Sequence, residues 1–207
     1  MVNYHALTSS LKLSGSNVVV LGGTQGIGAG IAIRFAELGS SVLVIGRNET
    51  AGNTVVNTMR GASADSSEAK FTFVRGDLGT VDGIRGAADD IAAWAGAQGV
   101  DYLFQTQGGP STGLWPPTPE SLTIAFNVQI LSHFLIPYLL LSRPQPILRQ
   151  GAQICNVGRP GEIGRAVNMD DFIGIKAIQG GNVAFVKKLL SWVFIMDLYT
   201  QASPRHD

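Results

Sequence analysis

The chain has 207 residues, of which 45% are hydrophobic and 14% charged, against roughly 25% charged in an average soluble domain; this excludes a disordered chain and leaves apolar material for one sizeable core. Fifteen Lys and Arg balance fifteen Asp and Glu, so no net basic field gathers phosphate backbones and nucleic acid is not expected as a partner. One cysteine, Cys155, and three scattered histidines, His5, His133 and His206, exclude an internal disulfide and a thiolate or imidazole metal cage, so no metal is expected.

Residues 1–10 are polar and lack the basic start and apolar run of a secretory signal, and the expected location is cytoplasmic. A first apolar run of strand length covers Asn17–Leu21. Directly after it stands Gly22-Gly23-Thr24-Gln25-Gly26-Ile27-Gly28, and then a stretch over 29–38 with Ile31, Phe35 and Leu38 at helical spacing. Strand, glycine loop and helix in that order suit a dinucleotide: glycine lets the backbone approach a pyrophosphate, and the helix start offers free N–H groups and a positive dipole end.

The second run, 41–45, ends in Gly46-Arg47-Asn48. NAD-specific folds place a carboxylate near this point for the ribose hydroxyls. A guanidinium instead favours the 2'-phosphate of NADP through charge-assisted hydrogen bonds, with Asn48 either an accessory donor or the cap of the next helix, and Gln25 an added polar contact. Val55 and Met59 lie on a second helix, 71–74 on a third strand, Gly76-Asp77-Leu78 just beyond it, and Ile84, Ala88, Ile91 and Trp94 on a third helix.

A fourth strand over 102–104 runs into Gln105-Thr106-Gln107-Gly108-Gly109. The proline-rich stretch 108–117, with Ser111, Thr112 and Trp115, is placed to line the substrate side. The Thr118-Pro119-Glu120 triplet predicts the N-terminus of a long helix reaching Leu141. Its most apolar part, 134–141, is broken by Pro137 and is well short of the roughly 20 residues of a spanning helix, so no membrane association is expected. Residues 142–150 read as a connection, 153–157 as a fifth strand, 158–164 as a loop, and 182–199 as a last, apolar helix. The alternation of strand and helix implies one α/β domain over 1–207, a doubly wound parallel sheet with helices on both faces.

On these residues the chain resembles the short-chain dehydrogenase/reductase family, from Leu11 through most of its length. The resemblance implies a Rossmann sheet, with Gly22, Thr24, Gln25, Gly26, Ile27 and Gly28 around the cofactor, Asp77 on the adenine and Leu78 packed beside it. Residues 105–108 take the place of the family's Asn-Asn-Ala-Gly, which puts Gln107 and Gly108 at the cofactor. It also implies hydride transfer between nicotinamide and a carbonyl or alcohol carbon, with a tyrosine as proton donor and a lysine four residues on that lowers the phenol's pKa. That pair is missing: Tyr4, Tyr102, Tyr138 and Tyr199 are followed four residues later by Thr8, Thr106, Ser142 and Ser203.

Two segments fit the motif's place, Phe172 to Lys176 and Ala184 to Lys188, and of these Lys176 is the chosen candidate, with a surface pair to Asp170 and Asp171 as its alternative role. Arg159 stands where the family serine falls, either to stabilise an oxyanion or bind an acidic group, or to close its loop on Glu162. Gln129 occupies the family's asparagine region, with Asn127 as the alternative, and an amide there orders water. His133 reads as packed rather than catalytic, and Cys155 as a small core residue in a buried strand. Relatives continue into further strands, so the sheet is expected to lack the family's last ones, and the open edge with the apolar last helix predicts a homo-oligomer. The expected function is an NADP(H)-dependent oxidoreductase of a small carbonyl or alcohol substrate. The alternative is a cofactor-binding protein without redox turnover, or an isomerase or cyclase on the same fold.

Overall fold

A computed structural model describes residues 7–63, 68–108 and 117–158. Five strands form one sheet: β1 (Asn17–Leu21), β2 (Ser41–Gly46), β3 (Phe71–Arg75), β4 (Val100–Gln105) and β5 (Leu148–Asn156). They lie in the order β3-β2-β1-β4-β5 and every pairing is parallel. Between them run α1 (Gly26–Glu37), α2 (Glu49–Ala62), α3 (Val81–Ala95) and α4 (Ile124–Leu141).

The two faces of the sheet follow from strand alternation. Val18, Val20, Val42 and Val44 pack with Ala32 and Ala36 of α1 and Val55, Val56 and Met59 of α2. Their neighbours Val19, Leu21, Leu43 and Ile45 face the other way, onto Ile84, Ala88 and Ile91 of α3 and Ile136 and Leu140 of α4. Both sides of the inner strands are therefore apolar, the pattern of a parallel sheet covered twice, and the doubly wound expectation holds. Caps set the helix starts: Asn48 Oδ1 accepts from Ala51 N (3.0 Å), and Thr80 Oγ1 from Gly83 N (3.1 Å).

Three expectations need correction. Helix α4 begins at Ile124, not at Thr118. The segment before it folds back on itself: Thr118 N–H donates to Leu122 O, Ser121 N–H to Thr118 O, and Pro117 bridges Thr123. Thr123, whose Oγ1 accepts from Phe126 N at 3.1 Å, is the cap, because apolar helical spacing starts only after it. The continuous helical run is 18 residues at mean hydropathy 1.7, long and apolar enough to cross a membrane by length and composition, where the sequence suggested only 134–141; 39% of it is buried inside the fold. Third, Cys155 is exposed rather than buried, on β5, the strand at the end of the described sheet that pairs with β4 alone among the described residues.

Candidate functional site

The chain leaves β1 toward β2 and β3, then returns to β4 on the other side of β1. The carboxyl ends of β1 and β4 thus diverge at a topological switch point, where doubly wound sheets hold their ligands. A cleft of about 400 Å³ opens there.

Its floor is the glycine loop. Gly22 has φ 75°, and a Cβ on it would stand 2.7 Å from the backbone N of Gln107. Gly28 is as confined, with Thr106 Oγ1 at 2.4 Å and Gly22 O at 2.6 Å from a Cβ. The loop therefore lies backbone to backbone on the end of β4, fastened by Thr106 N–H and Thr106 Oγ1–H to Leu21 O (2.9 and 2.7 Å) and by Gly22 N–H to Ile45 O (2.8 Å).

Gly26, the first residue of α1, has φ 54° and open space within 4 Å of where a Cβ would be. The helix cap, Gln25, makes no side-chain hydrogen bond to the helix, and the first turn carries no acid. The initial N–H groups and the positive dipole end are left to an anion. Ile27 beside them is 65% exposed.

The cleft brings together most of the residues read from the sequence. Thr24, Gln25, Gly26, Ile27 and Gly28 line it from the loop, Arg47 from the end of β2, Asp77 and Leu78 from the end of β3, and Gln107 and Gly108 from beyond β4. Arg47 is exposed and ion-pairs with no described residue. Asn48 is not on the lining, and its Oδ1 caps α2, one of the two roles read for it from the sequence. Sequence reasoning missed Ile45, Gly46, Gly76, Thr106, Val128 and Val157 as lining residues. A Cβ on Gly46 would meet Thr24 Cγ2 at 2.5 Å, so the loop settles closely on the end of β2 there.

Gln129 sits on a π-helical turn over Asn127–Leu131, in which Ser132 N–H reaches back to Asn127 O. Such turns often mark functional sites. Gln129 is 5% exposed, and no described residue hydrogen-bonds its amide. Asn127 instead donates from Nδ2 to Gly79 O at 2.9 Å, tying α4 to the loop after Asp77. Arg159, Lys176, the loop 109–116 and the helix expected over 182–199 lie outside the described residues.

Behind the cleft runs a polar seam. Gln105 Nε2 donates to His133 O (3.0 Å) and Asn156 Oδ1 (2.7 Å), joining β4, α4 and β5. Gln107 Nε2 donates to Ser132 Oγ at 3.0 Å and lies 3.3 Å from His133 Nδ1. Burial pushes the His133 pKa down from 6.5 to about 4, against smaller upward effects from the backbone of Val128 and Gln105. The imidazole is thus neutral at pH 7 and sits within the buried seam. No group of three or more His, Cys, Asp or Glu side chains suited to a metal occurs among the described residues.

A doubly wound parallel sheet with a glycine loop opening a helix at its switch point defines a dinucleotide-fold protein. The family model for short chain dehydrogenases matches residues 16–158, and the chain belongs to that family. It is 28% identical over 199 residues to polyprenol dehydrogenase of Mus musculus, covering 93% of this chain and 56% of that protein. The chain therefore spans little more than half the length of this relative. Among solved structures it resembles LugOII, a promiscuous reductase catalysing keto-reduction at C1 in lugdunomycin biosynthesis, with TM-score 0.56, 21% identity, and 84% of this chain and 74% of that one covered. It also resembles a metagenomic short-chain oxidoreductase in complex with NADP, with TM-score 0.50, 24% identity, and 61% and 55% covered. At these identities the two structures attest the shared fold.

Proposed function

We propose that the protein is an NADP(H)-dependent oxidoreductase interconverting a carbonyl compound and its alcohol. The observation that carries the cofactor half is Arg47: a guanidinium, without a carboxylate partner among the described residues, at the end of the strand where an NAD site would offer an acid. The glycine loop fits the group, because the φ 54° glycine at the start of α1 leaves open space and uncapped N–H groups for a pyrophosphate. When bound, the nicotinamide supplies or accepts hydride. Gln129, next in sequence to the cleft-lining Val128 though not itself on the lining, keeps its buried amide uncommitted among the described residues, and we assign it the ordering of water.

Polyprenol dehydrogenase by its name acts on a long apolar alcohol, which recommends apolar as well as small substrates. The test is NADPH oxidation against a panel of aldehydes, ketones and quinones, including long-chain ones, alongside calorimetric titration with NADP+ and NAD+. Arg47→Asp should weaken NADP+ at least tenfold more than NAD+. Equal losses for both would remove the 2'-phosphate role.

A second reading rests on a different observation, the absence of a lysine four residues after any of the four tyrosines. It makes the protein a nucleotide binder without hydride transfer, or an isomerase or cyclase. NADP+ binding with no turnover at high protein concentration would favour it. In either reading we take the chain to self-associate through α4, where Phe134, Tyr138 and Leu141 are 57%, 55% and 47% exposed along one stripe.

A further inference from the structure

We propose that Oε1 of Gln107 is a built acceptor for a hydrogen-bond donor on the nicotinamide–ribose half of the dinucleotide. The assignment rests on the nucleotide reading above and gives it a contact that decides how that half is held. Gln107 is 5% exposed and lines the cleft. Among the described cleft residues, its Oε1 is the side-chain polar atom that is buried without a partner.

The orientation of the amide follows from its neighbours. Ser132 has a single hydroxyl proton, and it goes to Val128 O at 2.8 Å. Ser132 Oγ can then only accept, so Gln107 must turn its NH2 toward it and leave Oε1 on the other side. The second nearby group, His133 Nδ1, lies 3.3 Å from the same NH2 and accepts from it in the tautomer protonated on Nε2. A buried amide oxygen left unpaired is unfavourable; of the buried unpartnered side-chain atoms among the described residues, only that of Gln107 belongs to a cleft-lining residue.

Position selects the donor. Arg47 and Asp77 stand at the ends of β2 and β3, on one side of the switch point, and Gln107 stands beyond β4 on the other. A dinucleotide spans that crevice with its adenosine ribose on the β2 side, so its other half comes to Gln107. The donors on that half are the ribose hydroxyls and the carboxamide N–H2, and both match an amide oxygen. A leucine would fill the same space without accepting.

The experiment titrates the parent protein and Gln107→Leu with three probes by calorimetry. These are 2',5'-ADP (adenosine half), 2'-phospho-ADP-ribose (adding the pyrophosphate and second ribose) and NADP+. Gln107→Leu should bind 2',5'-ADP within twofold of the parent and NADP+ about tenfold more weakly. Loss already present with 2'-phospho-ADP-ribose identifies a ribose hydroxyl as the donor, and loss confined to NADP+ identifies the carboxamide. An NADP+ affinity within twofold of the parent overturns the proposal. So does an equal loss for 2',5'-ADP, which would make Gln107 a scaffold for the loop. If the leucine variant does not fold, Gln107→Met, unbranched like glutamine, is read in the same way. A parent protein that binds none of the three overturns the nucleotide reading itself, and this assignment with it.

Discussion

Replacing Gly28 by alanine tests whether the glycine loop is held by backbone contact or merely tolerates glycine. The new methyl would lie 2.4 Å from Thr106 Oγ1, 2.6 Å from Gly22 O and 2.9 Å from Gly23 Cα. Thr106 can rotate away, but then loses its 2.7 Å hydrogen bond to Leu21 O, a cost of about 1 kcal/mol. The carbonyl of Gly22 has no such freedom: its residue is held by Gly22 N–H to Ile45 O at 2.8 Å and pressed against Gln107. Forcing the loop off the helix adds about 1–3 kcal/mol of overpacking. The sum, roughly 2–4 kcal/mol, corresponds to a fall in Tm of about 5–12 °C for a chain of this size. Differential scanning calorimetry measures it, and NADP+ titration should show weaker binding because the start of α1 moves. Adding Thr106→Ala removes the 2.4 Å contact and not the 2.6 Å one, so it should not restore the parent's stability. A Gly28→Ala protein with Tm within 1 °C of the parent and unchanged NADP+ affinity would refute the reasoning.

The opposite result is expected for Gly30→Ala in α1 and Gly86→Ala in α3, where a methyl meets nothing within 4 Å; each should raise stability by about 0.5–1 kcal/mol in urea unfolding. His133 is held neutral, its pKa lowered from 6.5 to about 4, so between these pH values the unfolded state binds more protons and stability must fall as pH falls through that window. The effect is at most about 3 kcal/mol by pH 4 and is absent above pH 7. His133→Gln should flatten this part of the stability profile relative to the parent, and parallel profiles would remove the histidine from the account. For association, Phe134→Glu with Tyr138→Glu, on the exposed stacked pair of α4, should shift light scattering from oligomer to monomer. A parent that is already monomeric at micromolar concentration ends that proposal.

Much of the fold was legible because inner parallel strands are apolar on both faces. Val18 to Leu21 and Val42 to Ile45 are all buried, and an unbroken apolar run signals that directly. Edges were harder. Only the second half of β5 looked like a strand, since Arg149, Gln150 and Gly151 are exposed, and the apolar look of Ile154 and Cys155 suggested an interior place that Cys155 does not have. The start of α4 was misplaced because Thr118 and Thr123 are equally good caps in isolation, and a pairing between Pro117 and Thr123 chooses between them. In the site, the glycine loop, Arg47 and Asp77 announced themselves through order along the chain. The environment of Gln107 did not, because its partners Ser132 and His133 are 25 and 26 residues away and meet it only through packing.

The seam between the glycine loop and β4 also bears on how the protein reaches its working form. Leu21 and Thr106, which it joins, are 85 residues apart, so the floor and wall of the cleft come into being together, late, when a long stretch of chain has closed. Until then the first 63 residues carry every glycine of the loop and still have no cleft. A nucleotide bound at the junction would act as a clamp across the two halves of the sheet, stabilising the paired state of β1 and β4 against their separation. Protection of the Thr106 and Gly22 amides from hydrogen exchange should accordingly respond to nucleotide together, as one cooperative unit.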